Sequence, residues 1–113
     1  MIIDLRTYRI MPGRMPAQLE LYGKLGYPVQ LRYIGEPLCF LVAESGQLNT
    51  QVHAWIYESA GDREAKRAAM MKDPDWKHFL SENAKAGNLV EQHTSLMTPA
   101  PFAPPLSVPK PHR

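Results

Sequence analysis

The chain has 113 residues, which is enough for one domain that buries roughly two-thirds of its unfolded surface. Its 44% hydrophobic and 21% charged residues are ordinary for a soluble globular protein, and one cysteine, Cys39, excludes an intrachain disulfide framework. Basic and acidic residues, 13 against 11, are interspersed, so the net charge of +2 predicts no nucleic-acid or membrane partner.

No targeting or membrane-spanning segment is predicted. An acidic residue, Asp4, stands near the start of the chain, where a secretory signal would be basic and then apolar. No apolar run approaches the roughly 20 residues that span a bilayer. We therefore expect a cytoplasmic protein.

The first half of the chain predicts a strand, a helix and a second strand. Residues 2–10 alternate apolar and polar side chains, as a half-buried strand does. Apolar residues then recur at helical spacing over residues 15–25, and we expect Gly26 and Pro28 to end this helix. Residues 38–43 form a continuous apolar run of the length of a buried strand.

The second half predicts a strand that pairs back as an antiparallel hairpin, two helices and a last strand. Ser59 has the pattern of a helix N-cap, and Asp73 followed by Pro74 predicts the start of a second helix. The predicted ranges are 51–58 for the hairpin strand, 61–71 and about 74–87 for the helices, and 88–97 for the last strand.

The last fifteen residues hold six of the eleven prolines and predict an extended tail. We therefore place a domain at residues 1–98 and a Pro-rich C-terminal tail at residues 99–113. We expect the tail to dock through Phe102, to loosen after about Pro105, and to serve as a strap across a partner subunit. The alternative is that it is a polyproline ligand for another protein.

The order strand, helix, strand, strand, helix, strand predicts an α+β fold of the ferredoxin-like βαββαβ type. In this plan a four-stranded antiparallel sheet carries both helices on one face and leaves the other face without cover. Alternation along the two central strands gives each sheet face its own chemistry. The aliphatic set is Ile3, Leu5, Thr7, Val52, Ala54 and Ile56. The polar-aromatic set is Asp4, Arg6, Tyr8, Gln51, His53, Trp55 and Tyr57.

We expect the aliphatic set to meet the helices and the polar-aromatic set to lie on the uncovered face. That face is too apolar for plain solvation and too polar for a dry core, so we expect a partner sheet or a ligand against it. Two such sheets closing face to face form a homodimer, a dimeric α+β barrel with an interior cavity.

Six stretches, in order along the chain, carry a resemblance to a known family. They are Leu5-Arg6-Thr7-Tyr8, Pro12-Gly13, Val52-His53-Ala54-Trp55-Ile56-Tyr57, Asp62-Arg63-Glu64-Ala65-Lys66-Arg67, Asp73-Pro74-Asp75-Trp76 with Phe79-Leu80, and Pro99-Ala100-Pro101-Phe102. Together they resemble the NIPSNAP family of the dimeric α+β barrel superfamily. The resemblance implies the ferredoxin-like fold and a homodimer but no settled reaction. Superfamily relatives include cofactor-free monooxygenases, lactone isomerases and haem-binding enzymes, an analogy of fold alone.

The candidate binding site is a cluster on the two strands expected to be central neighbours: Arg6, Tyr8, His53, Trp55 and Tyr57. It offers a permanent cation, an imidazole, phenols and aromatic walls, which suit a small acidic or aromatic molecule. His53 is the candidate catalytic group. The alternative is interface packing, in which Arg6 pairs with Asp4, Glu91 or a carboxylate of the partner.

The predicted function is therefore binding of a small acidic or aromatic molecule in the barrel cavity, with cofactor-independent monooxygenation or isomerisation as the candidate reaction class. The alternative is a non-enzymatic protein-interaction module or structural dimer. No cofactor and no metal site are predicted, since only His53 and His93 could converge with Glu91.

Three further features have structural interpretations. Glu91, His93 and Ser95 share one face of the last strand, and we interpret that face as solvated or as an interface. Cys39 is interpreted as a small core residue. Residues 62–72 are interpreted as a solvated helix held by pairs such as Asp62 with Lys66.

Overall fold

The computed structural model describes residues 1–112. Its sheet is antiparallel throughout, with the strand order β2-β3-β1-β4. The strands are β1 (Ile2–Ile10), β2 (Cys39–Val42), β3 (Thr50–Tyr57) and β4 (Leu89–Met97). The helices are α1 (Met15–Leu21), a π-helical segment (Tyr22–Gly26), α2 (Tyr27–Tyr33), α3 (Ala60–Met71) and α4 (Pro74–Ala86). The predicted βαββαβ order and the ferredoxin-like fold are confirmed.

The predicted helix caps in the second half are also confirmed. Ser59 accepts a hydrogen bond at its hydroxyl from the backbone N–H of Asp62, and Asp73 accepts one from the N–H of Asp75. These bonds satisfy backbone donors that have no partner within the first helical turn. Asp62 also pairs with Lys66 at 3.1 Å, as expected for residues four apart on a helix.

The first helix does not end at Gly26, and this prediction is wrong. A π turn, in which the N–H of Tyr27 bonds to the carbonyl of Tyr22, carries the chain through to α2. Pro28 sits in the first turn of α2, where its missing N–H costs little. Gly26 is needed for packing, because a Cβ there would lie 2.9 Å from the ring of Phe79 on α4.

The two faces of the sheet are covered differently from the prediction. The helices pack on the polar-aromatic face, whose buried cluster includes Tyr8, Trp55 and Tyr57 from the sheet and Tyr22 and Phe79 from the helices. The aliphatic residues lie on the opposite face, which we call the open face. The expectation that the aliphatic set meets the helices is therefore wrong.

The tail crosses part of the open face, again differently from the prediction. Leu106 and Val108 pack against a cluster built on Ile3, Ala54 and Ile56. Phe102, the expected anchor, is 93% exposed. The docking segment is thus the part of the tail that was expected to be loose.

The end of the tail is held against α2 of the same chain. The N–H of His112 donates to the carbonyl of Leu31 at 2.7 Å. Gly35 has a φ of +90°, and a Cβ there would lie 2.7 Å from the carbonyl oxygen of Lys110. A glycine is therefore required both by the backbone conformation that ends α2 and by the close passage of the tail.

Candidate functional site

The five predicted site residues lie on one face of the two central strands. Arg6 and His53 are directly opposed in the β1–β3 ladder, and Tyr8, Trp55 and Tyr57 share their face. The five side chains therefore share one sheet face, although only Arg6 and Tyr8 line the cavity beside it. That face lies against the helices of the same chain, so the cavity beside it is formed within one protomer rather than between two sheets.

A buried carboxylate near the start of β1, on the same sheet face, binds two guanidinium groups. Asp4, fully buried, accepts hydrogen bonds from Arg6 at 3.1 and 3.2 Å and from Arg63 on α3 at 2.9 Å. Burial alone would raise the pKa of Asp4, but Arg6 and Arg63 outweigh it and hold that pKa below its ordinary value. The pairing of Arg6 with Asp4, which the packing alternative predicted, is present.

Arg6 also reaches the hydroxyl of Tyr8, with a nitrogen–oxygen distance of 3.3 Å. Burial would lower the pKa of Arg6, yet the neighbouring Tyr8 and the Asp4 carboxylate raise it above the ordinary value. Arg6 is therefore a permanent cation whose direction is fixed by two partners.

His53 is enclosed by side chains and is neutral near pH 7. Its ring stacks on Phe40 at 4.6 Å between centroids and meets the edge of Tyr8 at 4.8 Å. Burial, and then the charge of Arg6, lower the pKa of His53 to about 3. Trp55 donates its indole N–H to the Nδ1 atom of His53 at 2.7 Å.

This contact determines what His53 can do. An indole N–H can only donate, so Nδ1 must accept and the hydrogen of the neutral ring lies on Nε2. Nε2 has no hydrogen-bond partner among residues 1–112. The imidazole is thus held as a donor, which does not suit the role of a general base.

A cavity of about 230 Å³ lies between the sheet and the helices. Arg6 and Tyr8 from β1 line it. The other lining residues are Tyr22, Gln30, Arg67, Met71, Trp76, Phe79, Leu80, Asn83 and Gln92. His53, Trp55 and Tyr57 do not line this cavity and form the buried layer beside it.

Arg67 is a cavity-lining residue that was not among the predicted site residues. It lines the cavity from α3, four residues after Arg63 and three before the fully buried Met70. Burial raises the pKa of the Tyr57 phenol, while the charge of Arg67 opposes that rise. The spacing of Arg63, Arg67 and Met70 was the available signal, because it marks one helix face that points inward.

A second cavity of about 230 Å³ adjoins the π-helical segment, and its lining includes Gly23, Tyr27 and Phe40. Tyr22 lines both cavities. Burial raises the pKa of the Tyr22 phenol above its ordinary value, so the Tyr22 side chain stays neutral at physiological pH.

The acidic and histidine residues of β4 lie on the open face and are exposed. His93 contacts Glu91 at 3.1 Å, and Arg9 contacts it at 3.3 Å. Hydrogen bonds from His93, and then from Arg9, lower the pKa of Glu91. His93 pairs with Thr7 in the ladder, whereas His53 pairs with Arg6. The two imidazoles therefore lie on opposite sides of the sheet and cannot converge on one ion.

Within residues 1–112, no group of three or more His, Cys, Asp or Glu side chains could hold a metal ion. Over the same residues no helix combines the length and the apolar character needed to cross a bilayer.

Comparisons with known proteins agree on one family. The sequence model of the NIPSNAP family matches residues 3–104. A Dictyostelium discoideum protein named Protein NipSnap homolog is 32% identical over 91 residues, which cover 80% of this chain. The chain spans only 40% of that relative's length.

Solved structures support the same assignment. A NIPSNAP family protein from Agrobacterium tumefaciens is 34% identical, with a TM-score of 0.83 and 92% of each chain covered. An uncharacterized NIPSNAP domain protein from Burkholderia xenovorans is 30% identical, with a TM-score of 0.85, covering 93% of this chain and all of that one. An antibiotic biosynthesis monooxygenase shares the fold at 14% identity and a TM-score of 0.61. The family-model match over residues 3–104 and the two NIPSNAP structures establish that the chain belongs to the NIPSNAP family.

Proposed function

We propose that the protein binds a small aromatic molecule that carries an acidic group, in the cavity between the sheet and the helices. The observation that carries this proposal is the balance of charge around the cavity. One carboxylate, Asp4, is shared by Arg6 and Arg63. Arg67 lines the cavity without an ion pair to any residue of 1–112. Three cations against one anion in a half-buried site favour an anionic ligand.

The remaining walls suit an aromatic ring with a hydroxyl group. Tyr22, Trp76 and Phe79 offer ring surfaces for stacking. Gln30 lines the same cavity, and its Oε1 atom is buried with no partner among residues 1–112. A ligand hydroxyl would satisfy this acceptor, and the cavity volume suits a molecule of one ring.

The lining favours binding over proton abstraction. No carboxylate or imidazole among the described residues lines the cavity, and His53 is held as a donor beside it. For a cofactor-independent monooxygenase or isomerase, the cations Arg6 and Arg67 suit a developing enolate or phenolate. The base would then be water or a group of the substrate itself.

Calorimetric titration with 4-hydroxybenzoate tests the binding proposal. We expect Arg67→Met to weaken binding at least tenfold, because it removes the cation that has no carboxylate partner within residues 1–112. Arg9→Met, on the open face, is the matched control and should leave the affinity unchanged. Absence of binding to the unmodified protein, or equal affinity in Arg67→Met, would overturn the proposal.

We also propose that two copies pair through their open faces. Leu5 and Val52 are half-buried there, while Leu41 and Met97 are 57% and 49% exposed on the same face. The tail covers only the end of this face near Ile3. A second aliphatic sheet face is the partner that would bury the remainder.

Light scattering after size-exclusion chromatography tests this pairing. We expect a dimer that Leu41→Lys converts to a monomer. Leu48, equally exposed at 57% but in the loop between β2 and β3, supplies the control Leu48→Lys, which should remain dimeric. A monomeric unmodified protein contradicts the pairing, and a dimer that binds no acid supports the alternative of a structural dimer module.

A further inference from the structure

Four polar side chains form a hydrogen-bonded chain from the surface to the cavity. Arg14 donates from Nε to Oδ1 of Asn88 at 2.8 Å, and Asn88 donates from Nδ2 to Oε1 of Gln18 at 3.1 Å. Gln18 then donates from Nε2 to Oδ1 of Asn83 at 3.1 Å. Gln18 and Asn88 are buried, at 0% and 1% exposure. Asn83, at the inner end, lines the cavity.

The chain has only one favourable direction. An amide can present either its oxygen or its nitrogen with nearly the same shape, so three amides alone could face either way. A guanidinium has donors and no acceptor, so Asn88 must present its oxygen to Arg14. Each following amide is then oriented in turn, and a reversed chain would leave the Nε–H of Arg14 facing another donor.

The consequence for the cavity is that Asn83 has its oxygen occupied. Its amide nitrogen takes no part in the chain and is the atom that remains for a ligand. Arg67 lines the same cavity and is also only a donor. Two donors suit the two oxygens of a carboxylate better than a primary amide, which offers one acceptor and one donor.

We infer that Asn83 is a specificity-determining residue that selects an acid over the corresponding amide, and that Arg14 is the positioning residue that keeps Asn83 a donor. This inference rests on the proposed function, since it concerns the same cavity. It adds a residue, Asn83, and a remote residue, Arg14, whose effect on the ligand is transmitted through two buried amides.

The test compares 4-hydroxybenzoate with 4-hydroxybenzamide, measured by calorimetric titration on the full chain. The ratio of their affinities reports the preference for the acid. Arg14→Glu places an acceptor oxygen at the same number of bonds from the backbone as Nε of Arg14, which reverses the chain. We expect the acid-to-amide ratio to fall at least tenfold in this variant. Arg14→Lys, which keeps a donor, should retain most of the preference.

A matched control separates the effect of reversing the hydrogen-bonded chain from the effect of the change in net charge. Arg9→Glu makes the same change of charge on the open face and should leave the ratio unchanged. Asn83→Asp provides a second test should Arg14→Glu fail to fold, because it replaces the donor itself and should also lower the ratio at least tenfold.

The outcomes distinguish the two proposals. If the unmodified protein binds neither probe, the proposed function and this inference both fail. If it binds the acid but the ratio is the same in Arg14→Glu and Asn83→Asp, only the inference fails. A fall in Arg9→Glu as large as in Arg14→Glu would also overturn it, because the effect would then be one of net charge.

Discussion

The two faces of the sheet differ in their chemistry and in what covers them. A simple polarity rule would place the aliphatic face under the helices and leave the polar face uncovered, and the structure has the reverse. The face with Arg6, His53 and Asp4 is buried under helices, whereas the face with Leu5 and Val52 receives only part of the tail. The polar face can be buried because several of its polar groups bind one another: Asp4 binds two guanidiniums, and Trp55 satisfies one nitrogen of His53. Residue polarity therefore does not identify the covered face when the polar groups pair among themselves.

The largest expected effect comes from breaking that pairing. Asp4→Asn leaves Arg6 and Arg63 without their carboxylate in a largely buried site, and we expect the free energy of unfolding to fall by about 3 kcal/mol. Denaturation in urea at pH 7 measures this loss. Asp75→Asn, which breaks an exposed pair with Arg32, should have a far smaller effect. Equal losses of unfolding free energy in the two variants would mean that burial does not increase the contribution of Asp4 to stability.

A smaller effect is expected from protonation on the same face. The pKa of His53 is about 3 in the folded protein against an ordinary value of 6.5. Between these values the unfolded chain binds a proton that the folded protein does not, so stability falls as the pH falls from about 6.5 towards 3. From pH 7 to pH 5 the loss from His53 is about 2 kcal/mol.

Denaturation at the two pH values, with His53→Asn alongside, isolates this contribution. The variant keeps an acceptor for Trp55 but has no group that titrates in this range, so its stability should depend less on pH. An identical pH dependence in both proteins would show that His53 is not held neutral by the fold.

The smallest effects are expected on the open face, where the tail supplies a matched pair. Leu106→Ala removes a half-buried contact with the Ile3 cluster and should lower the free energy of unfolding by about 1 kcal/mol. Phe102→Ala, at a 93% exposed site, should change it by less than about 0.5 kcal/mol. Urea denaturation at low protein concentration measures both, and the reverse ranking would restore Phe102 as the anchor of the tail.

The order of elements could be predicted from the sequence because local signals were strong. Alternation along β1, the cap at Ser59 and the pair Asp73-Pro74 each act within a few residues of the chain. The end of the first helix could not be predicted, since Gly26 and Pro28 normally end helices. Only the ring of Phe79, far along the chain, explains the glycine there.

The site could be predicted in part for a similar reason. Arg6 and His53 follow from strand pairing once the fold is known, because β1 and β3 are central neighbours. Arg67 and Asn83 depend on which way α3 and α4 face, and that follows from the cover of the sheet. Because the helices were expected on the aliphatic face of the sheet, the cavity residues on α3 and α4 could not be predicted either.

The π-helical segment has a consequence for the rest of the first helix. A π turn holds one residue more than an α turn, and one residue corresponds to a rotation of about 100° around the helix axis. Val29 and Gln30 are buried in the present register, with Gln30 at the cavity. A regular α-helix that kept every residue would turn Gln30 by about 100° away from the cavity, whereas deleting Gly23, where a Cβ would meet no atom within 4 Å, would remove the extra residue and leave Gln30 in its present orientation. The extra residue thus shifts by one position along the sequence which residues of α2 face the sheet.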